Sequence, residues 1–171
     1  MDLNKYIEEF KCNNYNGFSA FYNETSKQIY FTAYGILKSH EESEDIMQDT
    51  YVAFLNNIDS FKTGTNIYGY LTTIARNKAI NLYNRGKREI HDDEVFNYLP
   101  DEDNKNTPLM DKRVEGILNL IKDQIDREIV VYHVLLDYKF AEISKIINMP
   151  LGTVLWRYNK TMKKLREEVE R

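Results

Sequence analysis

Three groups of side chains in this sequence have the types and spacing for molecular recognition. Within 139–166, KFAEISKIINMPLGTVLWRYNKTMKKLR, seven basic residues stand against one acidic, a local net charge of +6. Ammonium and guanidinium groups neutralise phosphates, and Asn159 among them carries an amide able to hydrogen-bond a base edge in a major groove. A second basic block, 61–90, holds six basic residues and one acidic, net +5. There Arg76, Lys78, Arg85, Lys87 and Arg88 supply cations for a phosphate backbone. Asn77 and Asn81 lie one helical turn apart for polar contacts, and Tyr68 and Tyr70 offer rings on which exposed bases can stack. In the third group, Asp45, Gln48 and Asp49 recur at spacings of three and four and so share one helix face. Such a face is usually only solvated; the alternative is a surface for a basic partner.

Catalytic constellations are missing from the pattern. His40, His91 and His133 are far apart along the chain, and neither GxGxxG nor GK[ST] phosphate loops occur. Cys12 is the one cysteine, which rules out an intramolecular disulfide and a cysteine-based zinc site. No cofactor and no enzymatic activity are expected. The overall charge of −4 argues at first against a nucleic-acid partner. That average hides segregation: 1–60 carry 4 basic and 10 acidic side chains, and 91–111 one Lys and seven acids, each block net −6. Two basic blocks therefore alternate with two acidic ones, which fits two phosphate-facing surfaces and at least one surface for a basic partner. No run of about 18 apolar residues exists, and the start MDLNKYIEEF is acidic and amphipathic rather than a signal core. Cytoplasmic residence without membrane insertion is the expectation.

The elements that must position these groups are helical. Seven Gly, three Pro and apolar spacing near 3.6 almost throughout predict an all-α fold. A first helix is expected over Leu3–Phe10, a second over Phe18–Leu37, and a third from an N-cap at Ser43 to about Ile58. The third should turn Ile46, Val52, Ala53 and Leu55 inward, with Met47 and Tyr51 beside them. After the turn-forming SFKTGTN, a fourth helix should run from Ile67 to about Asn84, with Gly86 as its stop. Residues 89–110, acid-rich and with two of the three prolines, read as a linker. Its charge predicts an extended, mobile segment that leaves two small helical domains, 1–88 and 111–171, without fixed mutual geometry. In the second domain Val114, Ile117, Leu118 and Ile121 should share a face, continued by Ile129, Val130, His133, Val134 and Leu136. Its last part reads as a helix-turn-helix: Ala141, Ile143, Ile146 and Ile147 form an inner stripe, Met149-Pro150 the break, and a second helix starts near Leu151. Val154, Tyr158 and Leu165 pack inward there, leaving Leu155, Trp156, Asn159, Lys160, Lys163 and Lys164 outward or flanking.

Two stretches carry a family resemblance. FSAFYNETSKQIYFTAYGILKSHEESEDIMQDTYVAFLNNIDSF with NIYGYLTTIARNKAINLYNRGKRE resembles region two of the extracytoplasmic-function (ECF) sigma factors of bacterial RNA polymerase. The closing helix-turn-helix, with PLGTVLWRYNKT, resembles their region four. The resemblance implies a sigma factor of the sigma-70 superfamily, with core RNA polymerase and promoter DNA as partners and an anti-sigma factor as a further candidate. EDIMQDTYVAF is similar to the family's polymerase-binding helix, which carries Asp45, Gln48 and Asp49 over as contacts to a basic coiled coil. YGYLTTIARNKAINLYNRGKRE is similar to the promoter-opening helix that reads the minus-ten element. Asn66, Tyr68, Arg76, Asn77, Lys78, Asn81, Arg85, Lys87 and Arg88 are its candidate DNA contacts, and Gly64–Asn66 lie where the family holds a flipped-out base. Tyr70 replaces the usual tryptophan and has two readings, a base contact or a member of the buried stripe with Leu71 and Ile74.

In the closing helix Thr153, Leu155, Trp156, Asn159, Lys160 and Lys163 are the candidate contacts to the minus-thirty-five element. Leu155 and Trp156 depart from the basic or polar pair that usually follows GTV. A leucine can meet a thymine methyl, and a tryptophan can pack on the sugar-phosphate edge or on a partner protein. Arg157 matches the family arginine and can pair with Glu142 to brace the motif or touch DNA. The rival reading is a conventional helix-turn-helix regulator that never binds polymerase. That would require a dimer surface and a palindromic site, for which no heptad seam speaks.

Overall fold

The structure, a computed structural model, describes residues 3–92 and 110–170, the side chains of 88–92 excepted. The described residues are helical with no strand: α1 (Asn4–Lys11), α2 (Phe18–Leu37), α3 (His40–Asn56), α4 (Ile67–Asp92), α5 (Lys112–Leu120), α6 (Gln124–Val130), α7 (Phe140–Ile146) and α8 (Leu151–Val169). A 3₁₀ turn, Ile58–Ser60, follows α3, and a π turn, Val131–Leu135, continues α6. Among the described residues no helix is long and apolar enough to cross a membrane.

The centre of the first half is α2. From Ile29 to Ile36 every residue is buried, the pattern of a helix covered on all sides; α1, α3 and α4 lie around it. Phe10, Phe21, Tyr51 and Phe54 pack edge-on or stacked at centroid distances of 5.4–6.3 Å. Tyr70 lies against them, 5.0 Å from Phe61 and 6.1 Å from Phe54, so its half-buried ring packs on the edge of the core. Lys38, with φ 59°, ends α2 in the left-handed conformation common just past helix ends.

Several local expectations are corrected. The cap of α3 is Ser39, whose hydroxyl accepts from the Glu42 N–H at 3.2 Å, not Ser43; Ser43 is buried inside the helix and donates back to the Ser39 carbonyl. Glu41 and Glu42 then occupy the first turn, where the helix dipole favours them. The buried stripe is Ile46, Met47, Thr50, Tyr51 and Phe54, with Ala53 and Leu55 half-buried beside it. Val52, one position beyond Tyr51, is turned out and 57% exposed. Thr50 tolerates burial because its hydroxyl donates to the Ile46 carbonyl at 2.7 Å. Helix α4 continues through Gly86 to Asp92. Glycine in mid-helix costs only about 1 kcal/mol relative to alanine, and the helix overruns the expected linker start at 89. The rest of that linker, 93–109, lies outside the described residues, as does the Arg88 side chain.

In the second half Leu118, Ile121, Ile129 and Val130 bury as expected and Val131 joins them, but Ile117 and Val134 are exposed. Val134 is displaced because the chain widens after Val130: the Leu136 N–H bonds to the Val131 carbonyl five residues back, which shifts the facing of each later residue. Ala141 is also exposed; α7 turns Ile143 inward, with Phe140, Ile146 and Ile147 half-buried around it.

The halves do not lie apart. One cluster of buried apolar residues draws on Phe21, Phe31, Tyr34 and Leu71 from the first half and on Leu118, Ile121, Val130, Val131 and Leu165 from the second. A smaller cluster, Ile129, Tyr132, Ile143 and Val154, belongs to the second half alone. The expectation of halves without fixed mutual geometry is therefore replaced by a packed seam, since the apolar stripe of α5, α6 and the π turn finds its cover on α2 and α4.

Candidate nucleic-acid and partner interfaces

On α3 the buried stripe fixes what faces outward. Asp45, Gln48 and Asp49 are all exposed and lie with Val52 on one side of the helix. The carboxylate of Asp49 meets the Lys78 ammonium of α4 at 3.6 Å. Both side chains are at least a third exposed, so the pair adds little to stability. It brings the acidic face of α3 and the basic, amide-bearing face of α4 edge to edge.

Helix α4 starts at a side-chain cap: the Asn66 carbonyl oxygen accepts from the Gly69 N–H at 3.1 Å. Asn66 is exposed and already holds this local role, in a loop where Gly64 supplies a φ of 88°. Ile67, Leu71, Thr72, Ala75 and Ala79 face the core. The opposite side presents Asn77, Asn81, Arg85 and Lys87 to solvent, with Lys78 half-buried. The Lys87 ammonium lies 4.6 Å from the centroid of the Tyr83 ring, a cation–π contact. Tyr68 is half-buried, its carbonyl accepting from the Gln28 amide at 3.1 Å, and burial pushes its hydroxyl pKa up.

Arg76 stands apart from this set. Its Nε donates to Glu128 Oε2 of α6 at 2.8 Å, and the Glu128 side chain is only 1% exposed. Burial pushes the Glu128 carboxyl up, while the Arg76 charge and hydrogen bond and the Gln124 amide pull it down. The neighbouring Arg127, 3% exposed, donates from Nε to the Gly35 carbonyl at 2.7 Å and from Nη2 to the Ile36 carbonyl at 3.1 Å. Its Nη1 donates to the Ile121 carbonyl at 2.8 Å. The last carbonyls of a helix lack intrahelical donors and carry the negative end of its dipole, so Arg127 satisfies and neutralises the end of α2. Nothing in the linear pattern marked Arg127 or Glu128 as functional. The available signal was their place between Ile125 and Ile129-Val130-Val131, where two adjacent charges cannot both reach solvent.

Helix α8 turns Val154, Thr161 and Leu165 inward and leaves Thr153, Leu155, Trp156, Asn159, Lys160 and Lys163 exposed. Trp156 is 59% exposed, with the Lys160 ammonium 4.6 Å from its ring centroid. Arg157 pairs with Asp126 at 2.6 Å and Asp123 at 3.2 Å, not with Glu142, which accepts from the Lys139 N–H at 2.8 Å and caps α7. The Asp126 hydrogen bond, reinforced by both carboxylate charges, raises the Arg157 pKa. Through this brace α8 is tied to α6, and through Arg127 and Glu128 α6 is tied to α2 and α4.

Residues 21–89 match the family model for sigma-70 region 2. They contain the acidic face of α3 and nearly all of α4. This stretch of the chain is therefore a sigma-70 region 2. Along 99% of its length it is 26% identical to the ECF RNA polymerase sigma factor SigW of Bacillus subtilis, covering 97% of that protein. It is also 26% identical to the ECF RNA polymerase sigma factor EcfG of Rhodopseudomonas palustris, over 73% of this chain and 70% of that one. In fold it is similar to the sigma factor RpoE of Bartonella quintana, solved in complex with the anti-sigma factor NepR. There the TM-score is 0.71 at 21% identity, covering 90% of this chain and 96% of that one. The region 2 match and these ECF relatives support a sigma factor's function in transcription initiation over that of a plain DNA-binding regulator.

Proposed function

We propose that this chain binds core RNA polymerase through the outer face of α3 and directs it to promoters through two separate DNA-reading surfaces. The observation that carries the reading is the adjacency of Asp45, Gln48 and Asp49 to the exposed Asn77, Lys78, Asn81, Arg85 and Lys87 inside the region 2 match. A basic coiled coil on polymerase fits the first set. The second, with Asn66 and Tyr68 at its start and Arg88 beyond it, fits the phosphates and unpaired bases of a minus-ten element during opening. Helices α7 and α8 act as a helix-turn-helix, with Thr153, Leu155, Trp156, Asn159, Lys160 and Lys163 toward a minus-thirty-five element. Regions 1–88 and 111–171 are the corresponding functional units, joined by the acidic segment.

The protein works in the cytoplasm as a specificity factor and not as an enzyme, and an anti-sigma factor is a fitting further partner. The deciding test is co-purification with bacterial core RNA polymerase. The wild-type chain is expected to be retained, and Asp45→Lys with Asp49→Lys to lose retention while keeping its helical circular dichroism. Unchanged affinity of that double variant would sink the assignment.

A further inference from the structure

The seam between the halves is polar where it matters most. Besides Arg127, Glu128 and Arg76, it holds the Gln28 amide against the Thr72 and Tyr138 hydroxyls, which are themselves 3.1 Å apart. His40 Nε2 and Glu115 Oε1 meet at 3.0 Å, and Lys38 donates to the Asn119 carbonyl at 3.2 Å. The hydroxyls of Thr32 and Tyr132 are buried in the seam facing each other, in a contact short of good hydrogen-bond geometry. The backbones also approach closely: a Cβ on Gly35 would sit 3.3 Å from Val131 Cγ2. Such a mixture of good ion pairs and imperfectly satisfied polar groups resembles an interface that opens more than a permanent core.

We propose that α6 is an intramolecular clasp in which Glu128 occupies Arg76, so that promoter DNA and α6 compete for one arginine of α4. This rests on the reading of α4 as a DNA-contacting helix. With Nε given to a buried carboxylate and its side chain only 17% exposed, Arg76 has little of its guanidinium left for a phosphate. Of the α4 candidates whose side chains are described, Arg76 alone is engaged by the second half; Asn77, Asn81, Arg85 and Lys87 stay exposed. The free chain is therefore closed and underuses its DNA surface. Separation of α6 from α2 and α4 returns Arg76 to the DNA face, while Arg127 leaves the carbonyls at the end of α2. Opening by a partner and DNA binding by α4 are then linked: whatever favours one favours the other. The apparent affinity of the free chain is reduced by the fraction that is open.

The test uses the full chain with a spin label on Cys12, which is exposed, and a second on Lys145→Cys, exposed on α7. The probe is a fluorescein-labelled single-stranded DNA 20-mer. Two variants loosen the clasp by different means. Glu128→Gln removes the charge that holds Arg76, and Gly35→Leu wedges α2 from the π turn without changing charge. Glu170→Gln, exposed near the end of α8, controls for the charge change. Both clasp variants are expected to broaden the distance distribution and to raise DNA affinity on the order of tenfold, as for release of a form about one-tenth open. The control should do neither, and helical circular dichroism should persist in all three. An unchanged distance in both variants, or opening with no gain in DNA affinity, overturns the clasp. Failure of the underlying reading looks different: Asn77→Ala with Asn81→Ala would then leave DNA affinity unchanged in the wild-type and in the opened chain alike.

Discussion

Helices α4 and α8 are both basic and both expose asparagine, Asn77 and Asn81 on the first and Asn159 on the second, yet they are held in different ways. Helix α4 presses Leu71, Ala75 and Ala79 into the large aromatic cluster, where small side chains allow close approach to α2 and α3. Helix α8 has a thinner footing: Val154 in the four-residue cluster, Leu165 at the edge of the larger one, and the Arg157 pair with Asp126 and Asp123. A helix rooted in a thick core keeps its outer face aligned whatever happens at any one polar contact. A helix on a thin core relies on charged hydrogen bonds for the same alignment.

Substitutions separate these two kinds of support. The largest effect is expected from Phe54→Ala, which empties the centre of the first half. It should lose about 3 to 5 kcal/mol of stability in urea unfolding, and α4 should lose its order with it. Next comes Arg157→Leu, which removes the brace of α8 and leaves Asp126 partly buried without its cation. A loss of about 1.5 to 3 kcal/mol is expected, with amide hydrogen exchange rising in α8 and not in α4. Equal exchange in both helices would break the distinction. A smaller effect belongs to Asn66→Ala, which uncaps α4 at a cost of about 1 kcal/mol. Asn66→Asp should keep the cap and the stability while repelling a nearby phosphate, so thermal melts and DNA binding ought to separate for that substitution. The smallest effect on stability is expected from Asn159→Ala and from Asn77→Ala, each within about 0.5 kcal/mol. Promoter assays should nonetheless lose upstream recognition in the first and downstream recognition or opening in the second.

Periodicity made the bounds of α2 readable, and from Ile29 to Ile36 its apolar and small side chains leave no polar face to misplace. It was less informative where two local signals compete. Ser39 and Ser43 both precede acidic pairs, and only the packing of α3 selects the earlier cap. Val52 against Thr50 is a similar case: hydropathy favours the valine inside, whereas the threonine hides its hydroxyl on its own helix and takes the buried position. The exposed sets on α3, α4 and α8 follow from spacing alone. Their partners in the seam do not, since Arg127, Glu128 and Arg76 are joined by contacts 52 to 92 residues apart in sequence. No local pattern encodes which distant carboxylate or carbonyl a buried charge will meet.

Trp156 is the one tryptophan in the chain, against 13 tyrosines, and it stands 59% exposed on α8 beneath the Lys160 ammonium. That placement builds an optical division of labour into the molecule. Indole emission, excited at the red edge where tyrosine is silent, reports the polarity around α8 and nothing else. A ligand that covers the outer face of this helix should shift the emission, whereas occupation of α3 or α4 should leave its colour alone. The order in which the two ends of the protein are engaged can therefore be followed in real time, without attaching a dye.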